Sequence, residues 1–217
     1  MATYDDVASN EASNATSLTI PCTPVGTPTG VGVGFGTLDF DSRTLSSVTY
    51  GGTAMTLELS YNTANYDTWL YGLANPASGN QDLVITMSGA TFRIKGAAIT
   101  VTDGSTTDVF SNSSQDTGTG TAPSTICTSA TGELVMDVCN SSDTGTRTAG
   151  AGQDNRYDSG ISGNRVSVST EAGASPNVTM SWTLPESKEW WIIAASFANA
   201  AAGGGKPYYY YQQQGGG

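Results

Sequence analysis

Apolar residues along this chain recur mostly at every second position, in runs too short for helices. Val178, Met180, Trp182 and Leu184 fall on one parity and Thr179, Ser181 and Thr183 on the other. That alternation is the mark of a strand with one buried face. Pro185-Glu186-Ser187-Lys188 interrupts it as a turn, and Trp190–Phe197 follows as a nearly continuous apolar run, long enough for a strand buried on both sides. The pattern predicts a hairpin over 177–197 that closes an all-β sandwich.

The same grammar runs through the rest of the chain. Leu18, Ile20 and Cys22 alternate beside Pro21, Pro24 and Pro28, as an edge strand permits, whereas Met1–Thr16 is polar and aperiodic and reads as an arm or a short edge strand. Val31-Gly-Val-Gly-Phe35-Gly places three apolar side chains on one face and leaves the other bare, so a large neighbour is expected against the glycines. Ser47–Leu59 reads as a hairpin turning at Gly51-Gly52. Strands are predicted at Trp69–Leu73, Leu83–Met87, Gly96–Val101, Glu133–Cys139 and Val166–Thr170, with a long polar loop over Thr102–Ser124.

These strands repeat. Leu83, Ile85 and Met87 followed by Gly96–Val101 mirror Val178, Met180 and Trp182 followed by Trp191–Ser196, at an offset of 95 residues. Val31–Phe35 corresponds to Glu133–Cys139, and the Gly51-Gly52 turn to Gly150-Ala151-Gly152, at slightly larger offsets. The expected fold is therefore an all-β, two-layer antiparallel sandwich, jelly-roll-like and built by internal duplication. Its organisation is an N-terminal arm over 1–16, the sandwich over 17–202 and an extended C-terminal arm over 203–217. The arm reads Gly-Gly-Gly-Lys-Pro, then Tyr208, Tyr209, Tyr210 and Tyr211, then Gln212, Gln213 and Gln214, then three glycines. It has no core of its own and is expected to be held by a neighbouring molecule, which points to an assembly.

Composition narrows the function classes. Hydrophobic residues make up 37% of the 217, so the core must be thin, but ten Tyr, five Phe and four Trp argue for a folded chain. The net charge of -11, from 19 acidic and 8 basic residues, opposes binding to nucleic acid or to an anionic membrane surface. No run approaches the ~20 apolar residues of a membrane span, and Met-Ala-Thr-Tyr-Asp-Asp does not have the layout of a secretion signal.

Catalytic chemistry has few carriers here. The chain contains no histidine, which removes imidazole from any triad, metal site or acid–base pair. Paired carboxylates, the glycosidase arrangement, remain, with Glu186 and Glu189 as the candidates, and this pair reads as a solvated turn beside Lys188. Asp39 and Asp41, with Asp103 and Asp108, have oxygens for Ca²⁺ but no EF-hand spacing. Cys22, Cys127 and Cys139 read as buried thiols, with one disulfide and a leftover thiol, or a bond between subunits, as the alternatives. Tyr61, Tyr66 and Trp69 lie near one loop and are candidates for stacking on a sugar. The sequons at Asn14, Asn112, Asn140 and Asn177 are what a Ser/Thr-rich chain generates by chance.

Five segments carry a resemblance: S-V-T-Y-G-G-T-A-M-T-L at 47–57, T-W-L-Y-G-L-A-N-P-A-S-G at 68–79, T-G-E-L-V-M-D-V at 131–138, A-G-A-G-Q-D-N-R-Y at 149–157, and N-V-T-M-S-W-T-L through W-W-I-I-A-A-S-F. Together, over about residues 15 to 200, they resemble a poorly characterised β-sandwich module of tailed-phage virion proteins and bacterial extracellular proteins. The resemblance implies a fold and transfers no catalytic residues. It leads to the expectation of a non-enzymatic virion subunit, a capsid decoration or fibre protein, without cofactor or metal. Its expected partners are further copies of itself, other virion or surface-assembly proteins, and a host glycan, but neither nucleic acid nor membrane. The alternatives are a carbohydrate-binding adhesion module, a glycoside hydrolase on the same sandwich, and a subunit of a bacterial extracellular filament or surface layer.

Overall fold

The computed structural model describes residues 1–161 and 163–200. The chain is all-β and antiparallel, as the alternation predicts, and its two halves have the same strand order. The first half comprises β1 (Thr3–Cys22), β2 (Gly30–Leu38), β3 (Leu45–Tyr50), β4 (Thr53–Ala54), β5 (Thr56–Asn62), β6 (Tyr66–Ala74) and β7 (Gln81–Thr102). The second comprises β8 (Phe110–Gly120), β9 (Ser124–Thr128), β10 (Leu134–Ser141), β11 (Thr148–Ala149), β12 (Asp154–Ile161), β13 (Asn164–Ala172), β14 (Asn177–Thr183) and β15 (Lys188–Phe197).

In the first half β5-β6-β2-β7 lie side by side, β1 covers the far edge of β7, and β3 joins the opposite end of β7. The second half repeats this as β12-β13-β10-β15-β8, with β11-β14-β9 as a separate small sheet. Each half curls round a core of its own. One contains Val31, Val33, Phe35, Leu83 and Ile85, and the other Val135, Cys139, Met180, Trp182 and Ile192. The third core is the seam where the halves pack face to face, with Leu70, Ile99, Met136, Val138, Ile193 and Phe197.

The bare face of β2 is the centre of that seam. A Cβ on Gly32 would meet Met136 at 2.5 Å, one on Gly34 would meet Val138 at 2.7 Å, and one on Gly36 would meet Asn140 at 2.6 Å. The expected large neighbour is thus β10, the sister strand of β2, running in the same direction 104 residues later. The glycines let the two backbones approach closely enough for the Met136 and Val138 side chains to fill the gap.

Three expectations need correction. First, β14 and β15 do not pair: β14 lies between β9 and β11, and β15 between β10 and β8. Pro185 has no N–H to extend a ladder, so the chain turns a corner, and the apolar faces of the two strands meet across a core rather than lie in one sheet. Second, the 95-residue offset holds only before that corner. Gly34 pairs with Ala97 and Val138 with Ile193, so the offset beyond the corner is 96. One extra residue at the turn keeps the same faces buried.

Third, the loop expected over Thr102–Ser124 contains a strand, and the edge strand allowed for at Met1–Thr16 is long rather than short. Met1–Thr16 belongs mostly to the 20-residue β1, with a register shift between Ala15 and Ser17 near the expected boundary, and Thr102–Ser124 contains the 11-residue β8. Both are edge strands paired only along β7 or β15. The Gly51-Gly52 hairpin forms, with φ of +55° and +81°, but it joins β3 to the two-residue β4, and β5 pairs with β6 instead. The arm over 203–217, with Tyr208, Tyr209, Tyr210, Tyr211, Gln212 and Gln213, lies outside the described residues.

Candidate functional site

The termini mark one end of the molecule. Ala2 N–H donates to Gly132 O at 2.8 Å and lies 3.1 Å from Asn199 Oδ1, and Gly104 bridges to Asn199. Strand β2 starts at this end and runs to Leu38 at the other, ~30 Å away for nine residues of strand. Two clefts lie at that far end, on either side of the β5–β6 turn.

The seam cleft, of about 410 Å³, runs between the halves and is lined by Thr63, Asn65, Tyr66, Thr117, Thr119, Glu189 and Trp191. The Tyr66 ring from β6 stacks on Trp191 from β15, with centroids 5.1 Å apart. Its hydroxyl donates to Gly163 O at 2.9 Å, so this aromatic pair fastens one half to the other. Burial, and next the nearby Glu189 carboxylate, push the Tyr66 phenol up. Below it the seam is polar: Asn140 donates to Asp67 O, Asn164 donates to Asn140 Oδ1, and the Lys95 ammonium reaches Asn164 O. Burial lowers the Lys95 pKa against the pull of Glu11.

The second cleft, of about 430 Å³, belongs to the first half alone. Trp69 and Tyr71 on β6 form its floor, Leu57 and Ser60 on β5 one wall, and Asp39, Arg43 and Asp67 its charged rim. Phe35 holds the floor in place, stacked on Trp69 at 5.0 Å and tilted against Tyr71 at 6.1 Å. Asp39 is 4% exposed, and its Oδ2 accepts the Arg43 N–H. Asp67 Oδ1 accepts Thr63 N–H at 2.9 Å. Among the described residues the second oxygen of each carboxylate has no hydrogen bond. Burial, with Asp39 close by, raises the Asp67 pKa.

The sugar-stacking candidates divide between the two clefts. Tyr61 pairs with Thr68, so it shares the seam-side face of the sheet with Tyr66. Trp69, three residues beyond Tyr66, faces the opposite way and is 5% exposed. No surface presents all three together. Glu186 pairs with Lys188 at 3.7 Å, while Glu189 lines the seam cleft, so the two carboxylates are not convergent. Asp39 and Asp41 lie at the far end and Asp103 near the termini, where Met1 N reaches Asp103 O. No group of three metal-ligating side chains occurs among the described residues.

Cys22, Cys127 and Cys139 are free and buried, and burial raises them to about 12, 11 and 12. Asn140 is fully buried, so the sequon there has no accessible acceptor. The residues that sequence reasoning did not single out are Arg43, Asp67, Thr117 and Trp191. One signal was available: Asp39-x-x-x-Arg43 recurs as Asp143-x-x-x-Arg147, at the same 104-residue offset as β2 and β10.

Comparison with protein-family models, with curated proteins and with solved structures found no match.

Proposed function

We propose that the protein is a structural subunit of a tailed-phage particle, a capsid decoration or fibre module, fixed at the end where its termini lie and displayed at the other. The observation that carries this reading is the place of the termini: Ala2 and Asn199 meet at one end, opposite the β5–β6 turn and the two clefts that flank it. The described chain ends at this end, just past Asn199, and the sequence continues as a Gly-rich linker and four tyrosines, a composition that suits strand addition or groove docking on a neighbour. The resemblance to virion β-sandwich modules supports the same reading, as does the acidic surface, which keeps free subunits apart.

Deleting residues 203–217 tests this. The truncated chain is expected to keep its fold by circular dichroism and to be lost from purified particles. Incorporation at the full-length level would refute anchoring by the arm.

A second reading, a carbohydrate-binding adhesion module, draws on the seam cleft. Threonine hydroxyls, the Asn65 amide and the Glu189 carboxylate surround the Tyr66–Trp191 pair there, the donor–acceptor mixture that sugar hydroxyls need. A glycan array with the intact chain and with Glu189→Gln tests it. A hit that Glu189→Gln abolishes favours this reading, and a blank array counts against it. Both readings hold together in a receptor-binding fibre.

A further inference from the structure

The second half contains a filled counterpart of the cleft over Trp69 and Tyr71. Strand registers equate Phe35, Thr37, Asp67 and Trp69 with Cys139, Ser141, Arg165 and Ser167. Continuing past the strands, Asp39 and Arg43 correspond to Asp143 and Arg147. In the second half Arg147 turns inward and its side chain is fully buried. Its guanidinium pairs with Asp143 at 3.2 Å, donates to Cys139 O at 2.9 Å and to Ser167 Oγ at 3.2 Å, and bonds Ser141 Oγ and Arg165 O.

In the first half the same loop is open. Trp69 stands where Ser167 leaves room for the guanidinium, and Arg43 lies outside over Gly89, with Nη2 on Asp41 at 3.3 Å. Two of the groups that serve Arg147 are consequently left over. Among the described residues Thr37 Oγ1, the counterpart of Ser141 Oγ, is buried without a partner, and Asp39 keeps one oxygen free at the cleft. Asp67 adds a second carboxylate on the same rim, and the rings of Trp69 and Tyr71 replace the hydroxyl and carbonyl floor.

We propose that this cleft binds an arginine side chain presented by a partner protein, with the guanidinium between Asp39 and Asp67 and its face on Trp69 or Tyr71. Paired carboxylates supply bidentate acceptors, and the aromatic floor supplies a cation–π surface that suits a planar guanidinium better than an ammonium. The net charge of -11 favours approach of a basic segment. The inference rests on the cleft and its sister alone and is independent of how the protein is anchored.

The test is titration of the full chain with N-acetyl-arginine amide, followed by backbone NMR shifts, with N-acetyl-citrulline amide as the uncharged isostere. Saturable shifts confined to residues 39–44 and 57–71, at least about tenfold stronger for arginine than for citrulline, are expected. Asp39→Asn should abolish them. Should that variant misfold, Asp67→Asn, at a less buried position, should weaken binding about tenfold, and Tyr71→Leu should weaken it further. Absence of saturable binding, equal binding of citrulline, or unchanged binding by Asp67→Asn overturns the proposal. So does displacement of the arginine probe by a neutral sugar or by Ca²⁺ alone.

Discussion

The two halves share a strand order and differ in what fills it. In the first half, Phe35, Trp69 and Tyr71 make an aromatic stack under an open cleft. In the second, the equivalent positions are small or polar, and the space holds Arg147, Asp143, Ser141 and Ser167, beside Arg165, which grips Asp158 through two contacts of 2.6 Å. The corners differ as well: β7 passes unbroken from one end of its sheet to the other, whereas Pro185 splits its counterpart into β14 and β15. One topology thus accepts either an oily or an ionic interior, and the difference determines whether the β2–β3 loop or its sister stands open.

The ionic half should fail hardest when one partner is removed. Arg147→Met is expected to cost about 3–5 kcal/mol in denaturant unfolding, because Asp143 is left charged and buried. Arg147→Met with Asp143→Leu should recover most of that loss, and a double mutant as unstable as the single would contradict the assignment.

The seam should respond next. Gly34→Val sets two valines on one spot and is expected to cost about 1–3 kcal/mol, whereas the swap Gly34→Val with Val138→Gly should restore part of it. Equal losses in the single and the swapped variant would show that the close approach of β2 to β10 does not set the packing.

Asp137 tests the ionic half through pH. It is fully buried and accepts from Ser169 N and Oγ and from Trp182 Nε1, yet burial raises it from 3.8 to about 7. Between these values the folded chain retains a proton that the unfolded chain has released. Its contribution to stability is thus complete below pH ~4 and is lost as pH rises towards 7, with a slope of up to about 1.4 kcal/mol per pH unit. Asp137→Asn should flatten that slope in unfolding curves taken from pH 4 to 8. The smallest effect belongs to the open half: Arg43→Met, removing an exposed pair with Asp41, should change stability by less than about 1 kcal/mol.

The fold class, the duplication and the glycine face of β2 were legible because each rests on burial, which alternating side chains record directly. Pairing was not. Strand β8 and β1 up to Thr16 carry mostly Ser, Thr, Asn and Asp and are held by backbone hydrogen bonds to β15 and the apolar part of β7, so only Leu18, Ile20 and Cys22 at the end of β1 give a periodic signal. The hairpin expected at 177–197 failed for a related reason, since a proline between two apolar runs suits a corner as well as a turn. Of the clefts, Tyr66 and Trp69 could be picked out as aromatics near a loop, but their division onto opposite faces follows from a three-residue spacing. The Asp-x-x-x-Arg repeat becomes meaningful only once β2 and β10 are recognised as sisters.

In the proposed particle the end bearing the termini is fixed and the end bearing the β5–β6 turn is displayed. Electron microscopy of particles decorated with an antibody fragment against the 62–66 turn tests it most directly. Fragment density is expected at the outermost tip of each subunit, ~30 Å beyond the attachment point. Fragments that bind the free protein but not the particle, or that bind beside the shell surface, would contradict it.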